Sequence, residues 1–509
     1  MSSKLSKKRV LVFVVSFRAE KFISSVLARI PESIKTNPNF DVEVLVIDDE
    51  SGDRTFQRAQ EFASHVEGLK VTVLHNPKNQ GYGGNQKIGY HYAINQNFDA
   101  VILLHGDGQY PPEYIGQLVQ PLLDDQAEAV FGSRMLNKRA ALQGGMPFYK
   151  WIGNQILTSL QNQILGVHLA EFHTGYRAYR VDALRSIPFE VNSNYFDFDT
   201  DIIIQLLDTH KRILEIPIPT FYGGEVSRVA GFKYGAMIIR TSIISRLMRL
   251  GIFYNPRFDY LAENAQYVPK FGYDSSHQFA IDRIPAGSTV LDLGGGPGVM
   301  AAELTRKQVQ TISVDRNITS PIKEYSAQTI QADLDVFDFN TAPEEVDIVI
   351  MLDIIEHLRN PEAILKKIRQ RYSGKGSQII LTTGNVAFLP IRFGLLLGQF
   401  NYGRRGILDL DHTRLFTFYA LRRVLVQAGY EVLEERGIPA PFYLALGKRP
   451  LADFLIGINR LLIRISRNLF SYQIGVVAKA TPTLEVLLDR AVRSGQEKAA
   501  EIMPVSPNL

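Results

Sequence analysis

Two clusters of residues in this chain of 509 have the types and spacing needed for chemistry on nucleotide-linked donors. In the first half, HGDGQYPPE at 105–113 follows the apolar run 100–104, so Asp107 stands just past a strand end. The imidazole of His105 precedes it by two residues and the amide of Gln109 follows by two. That set suits a divalent ion, magnesium or manganese, holding a diphosphate. Such an ion offsets the charge that develops on a departing nucleoside diphosphate. Upstream, VIDDESGDRT at 46–55 puts Asp48 and Asp49 at another strand end. A carboxylate there accepts from a base N–H or a ribose hydroxyl. NQGYGGNQKIGYHYA at 79–93 is a Gly-rich loop entering a helix. It is of a kind that lets backbone approach a phosphate-bearing ligand.

In the second half, VLDLGGGPG at 290–298 is a strand, an acidic residue and a Gly-rich turn. Gly294, Gly296 and Gly298 permit a tight turn and close ligand approach. Asp292 precedes them, and Asp315 ends the next strand, TISVD, where a ribose diol is held. QADL at 331–334 places Asp333 near an adenine amino group. DIVIMLDIIEHLRNPEAIL at 347–365 ends a further strand and opens a helix, with Asn360 as cap and Pro361 in the first turn. A dinucleotide-binding domain shares the Gly-rich turn but would not explain LDIIEHL.

These residues need strand ends to carry them. The runs 10–16 and 42–47 are short, branched and apolar, as buried parallel strands are. Helical spacing fills 20–35, and the alternation recurs at 71–74, 86–97 and 100–104. A second series runs strand 289–293, helix 298–307, strand 311–314, strand 347–351, helix 361–372 and strand 378–382. Both series read as α/β. Between them, 253–287 has Pro, Gly, Asn and aromatics without periodicity and marks a junction. The predicted division is 1–252, a linker at 253–285, 286–481, and a polar, frayed tail at 482–509.

Composition sets the class. Apolar residues are 45% and charged residues 21%, ordinary for a globular protein. A net charge of +4 gives no reason to expect nucleic acid as a partner. With no cysteine, disulfides, thiolate metal sites and a Cys nucleophile are excluded. The basic start MSSKLSKKR lacks the pattern of a signal peptide, and no window of membrane-spanning length is free of charge. The expected location is cytoplasmic, at the inner face of the membrane.

The first cluster resembles the family 2 glycosyltransferases, of GT-A fold, and within them the dolichyl-phosphate mannose synthase-like group, over roughly residues 8–235. The family's Asp-x-Asp-x-Gln falls on His105, Asp107 and Gln109, so the first Asp is His here. Its opening motif appears loosely as VSFRAE, with Phe17, Arg18 and Glu20 in the matching places. GSR at 132–134 offers Arg134 and TGYRAY at 174–179 offers Arg177 on the donor side, and SRVAGFKYG at 227–235 offers Arg228 and Lys233 in a mobile basic loop as phosphate clamps; taken singly, each of these reads more readily as a structural charge. FDFDTD at 196–201 offers Asp199 and Asp201 where acceptor-side carboxylates sit. The resemblance implies a nucleotide-diphosphate sugar as donor and inversion by direct displacement. A hydroxyl acceptor would need Asp199 or Asp201 as base. A polyprenyl-phosphate acceptor, already anionic, would need none.

The second cluster resembles class I S-adenosylmethionine-dependent methyltransferases, with their Rossmann-like fold, over roughly 286–480. By that resemblance Asp292, Gly294 and Gly296 line the methionine part, Asp315 the ribose and Asp333 the adenine. Asp353, Glu356 and His357 lie near the methyl group. His357 and His412 are the candidate bases. The stretch 395–417 resembles inserts in methyltransferases of surface-polysaccharide gene sets, which implies a sugar or glycolipid acceptor. Helices at 235–250 and 453–470 carry arginines beside apolar faces; they read first as helices packed on their own domain with a solvated face, with peripheral contact with an anionic bilayer as the alternative. The whole reads as a bifunctional enzyme of cell-surface polysaccharide synthesis. The alternatives are a polyprenyl-phosphate glycosyl synthase carrying a separate methyltransferase, and a scaffold whose first half has decayed.

Overall fold

Residues 10–14 read Val-Leu-Val-Phe-Val, apolar at every position, as a strand covered on both faces requires. In the computed structural model they lie in β1 (Lys8–Ser16), and their side chains alternate between two cores. Val10, Val12 and Val14 enter one, Leu11 and Phe13 the other. The structure describes residues 7–38, 40–220, 231–250, 254–259, 269–447 and 450–502. The chain divides into two compact units. One holds Met1–Met248 with Asn255–Glu263, the other Arg249–Tyr254 with Asn264–Leu509.

The first unit is built on seven strands. After β1 come β2 (Phe40–Asp48), β3 (Lys70–His75), β4 (Ala100–His105), β5 (Ala129–Ser133), β6 (Arg177–Arg180) and β7 (Ile213–Pro217). They lie in the order β3-β2-β1-β4-β6-β5-β7. β6 is antiparallel to β4 and β5, and the remaining pairs are parallel. The strand order reverses between β1 and β4, and in open α/β sheets ligands bind at such a point, beyond the carboxyl ends. Register brings the relevant ends level: Ser16 pairs with Asp48, and Val15 with His105.

The second unit repeats the principle with β8 (Thr289–Leu293), β9 (Gln310–Asp315), β10 (Gln328–Gln331), β11 (Ile348–Leu352), β12 (Gln378–Gly384), β13 (Tyr430–Ile438) and β14 (Gln473–Ala480). The order is β10-β9-β8-β11-β12-β14-β13, with β14 antiparallel to both neighbours. Its reversal lies between β8 and β11, beside the Gly-rich turn. On β11, Val349 and Met351 enter one core, Ile348 and Ile350 the other.

Four expectations are corrected. The single helix over 20–35 is two, Ile23–Ala28 and Glu32–Lys35, because Pro31 between them cannot continue a helix. The linker at 253–285 contains a helix, Ser276–Ile281, whose Phe279 and Ala280 join the core of the second unit beside Val290. Six residues are too few for periodicity to show. The tail is helical rather than frayed over Leu484–Ile502, and its last residues, 503–509, lie outside the described residues. Finally, the basic helix placed at 453–470 is interrupted: one helix ends at Ile465, Ser466 intervenes, and Arg467 opens another.

Candidate active sites

The level ends of β1, β2 and β4 form the floor of a cavity of about 1920 Å³ in the first unit. Asp49, His105, Asp107, Gln109, Arg134 and Asp199 all line it. Asp49 is buried by its own turn. Its carboxylate accepts from Asn76 Nδ2 at 2.7 Å, Gln80 N at 2.9 Å and Gly81 N at 3.0 Å. Asp48 accepts from the Ser51 hydroxyl. Burial raises its pKa, with the Ser51 hydrogen bond opposing. Of the two carboxylates, only Asp49 lines the cavity.

His105 ends β4, packed edge-on to Tyr110 and Tyr82 at ring distances of 5.0 and 5.7 Å. Burial holds its pKa below the ordinary histidine value, with the nearby Asp107 and Asp199 carboxylates opposing. A neutral ring keeps a nitrogen lone pair for a metal. Asp107 is half-buried and makes a single hydrogen bond, from Gln109 N at 3.1 Å to Oδ1. One carboxylate oxygen is thus left for a cation. Among the described residues no three His, Asp or Glu side chains gather at one point. An ion here would take His105 and Asp107, with Gln109 beside them, and complete its shell from diphosphate and water. The donor set fits on those terms.

The remaining charged candidates separate by geometry. Asp199, in the first turn of the helix Phe198–Asp208, faces the cavity. Its oxygens have three partners: Tyr82 OH donates at 3.0 Å, Gln86 Nε2 at 3.4 Å, and Arg177 pairs with it at 3.4 Å. Asp201 is wholly buried and does not line the cavity. It accepts from Ser193 N and pairs with Arg257, yet burial pushes its pKa up to about 7. Arg177 is not placed as a phosphate clamp. It is fully buried, and its guanidinium donates to the carbonyls of Phe172, Thr174 and Asp199. Arg134 does line the cavity, but the buried Glu171 holds it through Nε at 3.1 Å and through Nη2, and accepts from its backbone N at 2.7 Å. Lys233 is exposed in the first turn of the helix Gly231–Met248, not in a loop. Arg228 lies outside the described residues.

Two features escaped sequence reasoning. Tyr82, stacked on Phe196 at 5.1 Å, bridges His105 and Asp199. The glycines of 79–93 serve packing as much as ligand approach. A Cβ at Gly83 would strike Ser193 O and Phe198, and one at Gly89 would strike the Phe13 ring.

In the second unit the Gly-rich turn is sorted the same way. A Cβ at Gly294 would strike Ile354, and one at Gly298 would meet Ile322 N at 2.8 Å. At Gly296, φ is +53°, and the nearest atom a Cβ would meet is Gly294 O at 4.0 Å. Gly296 is thus the glycine that borders open space. Its N–H donates to Asp315 Oδ2 at 2.9 Å, tying the turn to the end of β9. Asp292 is buried with Oδ2 unpartnered, and burial, with the Asp315 charge adding, raises its pKa to about 7. An orphaned acid beneath a Gly-rich turn fits a ligand carrying a cationic ammonium group. Asp333 pairs with Arg316 at 2.7 Å, which lowers its pKa.

Asp353 takes φ +54°, a left-handed conformation that Asp tolerates better than most residues. Its carboxylate accepts from Ser276 at 3.0 Å and from Thr382 and Gln473 at 2.8 Å, so it braces three elements. Next to it Glu356 is buried with Oε2 unpartnered, and burial, with Asp353 adding, raises its pKa to about 8. His357 and His412 come together, ring centroids 4.7 Å apart. Each turns Nδ1 to a carbonyl, Asp411 O at 3.2 Å and Ile407 O at 2.9 Å. A carbonyl only accepts, so Nδ1 carries the hydrogen and Nε2 of the neutral ring is the basic atom.

Comparison with known proteins finds one family in each half of the chain. Residues 12–187 match the family Glycosyl transferase family 2, and residues 263–435 match the family Methyltransferase domain. Among curated relatives, the undecaprenyl-phosphate mannosyltransferase of Micrococcus luteus is 29% identical over 240 residues, 46% of this chain and 93% of that protein. The polyprenol monophosphomannose synthase of Mycolicibacterium smegmatis is 25% identical over 227 residues, 44% of this chain and 82% of its own. Among solved structures, glucosyl-3-phosphoglycerate synthase from Mycobacterium tuberculosis, with Mn2+, UDP and phosphoglyceric acid, is 17% identical. It covers 47% of this chain and 78% of its own, with a TM-score of 0.34. A methyltransferase-like protein from Bacillus halodurans is 18% identical over 40% of this chain and 96% of its own, with a TM-score of 0.27.

Proposed function

The chain joins a family 2 glycosyltransferase domain to a methyltransferase domain, and we propose that it performs two transfers on lipid-linked glycans. The first moves a sugar from a nucleotide-diphosphate sugar to a polyprenyl phosphate. The second moves a methyl group from S-adenosylmethionine to a glycan of the same class. Both take place at the cytoplasmic face of a membrane, in building a cell-surface polysaccharide.

The observation that carries the first transfer is the state of the carboxylates. A hydroxyl acceptor needs a base with a free lone pair. Asp199 is engaged by Tyr82, Gln86 and Arg177, and Asp201 lies outside the cavity. A phosphate acceptor needs no base. Its oxygen attacks the anomeric carbon as the bond to the nucleoside diphosphate breaks, and that diphosphate leaves with the electron pair. A divalent ion, when bound, offsets charge on the leaving group. The cavity walls supplied by the helices Phe148–Leu165 and Gly231–Met248 include Ile156, Leu157, Phe232 and Ile239, which suit a prenyl chain. Similarity to an undecaprenyl-phosphate mannosyltransferase and a polyprenol monophosphomannose synthase supports the same acceptor.

The test is transfer of labelled sugar by the purified chain to polyprenyl phosphate, using guanosine and uridine diphosphate donors. The expected product enters the organic phase and is released by mild acid, as a glycosyl phosphate is. An acid-resistant glycoside would mean a hydroxyl acceptor and would overturn this reading.

In the second unit, S-adenosylmethionine supplies an electrophilic methyl group when bound. The chain must align the acceptor and take its proton, at Nε2 of His357 or His412. Asp292 gives a pH prediction. Its ionised form attracts the cofactor's ammonium group, and with a pKa of about 7 it is mostly protonated at pH 6 and mostly ionised at pH 8. Cofactor affinity should therefore rise across that window, with proton release on binding. Calorimetry in buffers of different ionisation enthalpy measures both. Asp292→Asn should flatten the profile, and an unchanged profile would remove Asp292 from the site.

A further inference from the structure

The segment following β12 departs from what a solvated surface carries. Within 389–400, Leu389, Phe393, Leu395, Leu396, Leu397 and Phe400 are each between 40% and 80% exposed. Large apolar side chains exposed in such density mark an interaction surface. The segment is firmly rooted. Phe388 and Ile391 pack with Ile407, Ala440 and Tyr472 in a small satellite core. Asn385 donates to the carbonyls of Asn468 and Ser471. From that base the helix Leu389–Leu396 runs out and reverses at Gly398, where φ is +72°.

A second apolar stripe rises from the same base. In the helix Pro450–Ile465, Ala452, Ile456 and Asn459 face inward, and Asn459 accepts from Ala440 N at 2.8 Å. Leu451, Phe454, Ile458, Leu461 and Ile465 recur on the outside at alternating spacings of three and four, all exposed. Within the insert at 386–408 the charge is of one sign, whereas the helix Pro450–Ile465 carries Asp453 in its first turn. Residues 386–408 contain Arg392, Arg404 and Arg405 and no acidic residue. Arg405 and Arg464 are exposed and have no acidic partner among the described residues. Apolar side chains bordered by arginine are the composition of a segment that lies in a lipid interface and draws anionic headgroups.

Its place bears on the chemistry. The segment leaves β12 where Gly384 N faces Glu356, and returns to bring His412 against His357. We propose that the insert at 386–408 docks the methyltransferase unit on an anionic lipid bilayer, with 393–400 as its apolar tip, so that the acceptor glycan reaches His357 and His412 from the membrane surface. The purpose, though not the docking itself, rests on the reading of a lipid-linked acceptor.

The chain has no cysteine, so Leu396→Cys in the full protein can be labelled uniquely with an environment-sensitive fluorophore. Vesicles of phosphatidylglycerol with phosphatidylcholine should shift its emission to the blue, and brominated acyl chains should quench it. Phosphatidylcholine alone should do less. A label at Arg306→Cys, on the exposed end of the helix Val299–Arg306, should not respond. Adding Phe393→Asp and Leu397→Asp to the labelled protein should abolish the shift, with circular dichroism unchanged. No shift at 396, or a shift that survives both aspartates, overturns the proposal. So does a shift that grows with protein concentration without vesicles, which would mark self-association. The acceptor reading is judged separately by the acid lability of the sugar product, so either can fail alone.

Discussion

Asp107→Ala in the intact chain should abolish sugar transfer, by about 10³-fold or more, and leave methyl transfer unchanged. A metal on a leaving diphosphate is worth several kcal/mol of transition-state charge, and roughly 4 kcal/mol corresponds to that factor. Asp107 sits two residues past the end of β4 with one hydrogen bond, from its own turn. Little of the fold depends on it, so the melting temperature should hold. Excess chelator should reproduce the loss in the unaltered chain. His105→Asp adds a third oxygen-rich donor, which suits magnesium better than an imidazole does, and should narrow any preference for manganese. Rates with each ion, before and after substitution, check all three expectations. Full activity of Asp107→Ala, or in chelator, would remove the metal assignment.

Gly296→Val and Asp315→Ala should each abolish methyl transfer and spare sugar transfer. The valine would stand at the one glycine of the turn that borders open space, at φ +53°. That conformation alone costs a residue with a side chain roughly 1–2 kcal/mol, and the branched side chain then occupies ground meant for ligand. Asp315→Ala removes the acceptor of the Gly296 N–H at 2.9 Å and, on the proposed function, the partner for ribose hydroxyls. Hydrogen bonds to a charged group are worth roughly 1.5–3 kcal/mol each, so cofactor affinity should fall at least about tenfold. Gly298→Ala makes a useful contrast. Its Cβ would meet Ile322 N at 2.8 Å, so it should lower stability first and affinity only as a consequence. Both activities and a thermal melt on each purified variant separate these outcomes. Survival of methylation in both Gly296→Val and Asp315→Ala would mean that the Gly-rich turn holds no cofactor.

What sequence can place is local. His105, Asp107 and Gln109 are legible as a turn because a short buried strand runs directly into them. Asp292 and Asp315 lie at the ends of β8 and β9, and Gly296 lies in the turn that follows β8. A role that depends on a distant partner leaves no such local signal. Arg134 and Arg177 have the right type for a phosphate, yet Glu171, 37 residues on, claims the first. Asp199, 22 residues on, helps bury the second. The link from Tyr82 to Asp199 spans 117 residues and leaves no trace in either neighbourhood. The glycines of 79–93 mislead for a related reason. A Gly-rich helix start looks the same whether its backbone approaches a phosphate or, as at Gly83 and Gly89, a packed neighbour. Short elements such as Ser276–Ile281 carry less than two turns of pattern and cannot be distinguished from loop.

The claim beneath all of this is that one chain holds two separate donor sites. Titrating S-adenosylmethionine into the purified full-length protein, and then a nucleoside diphosphate with manganese into the same sample, tests it most directly. The account predicts one equivalent of each bound, with the second affinity unchanged by the first ligand. Competition between the two, or failure of either to bind a folded chain, would contradict it.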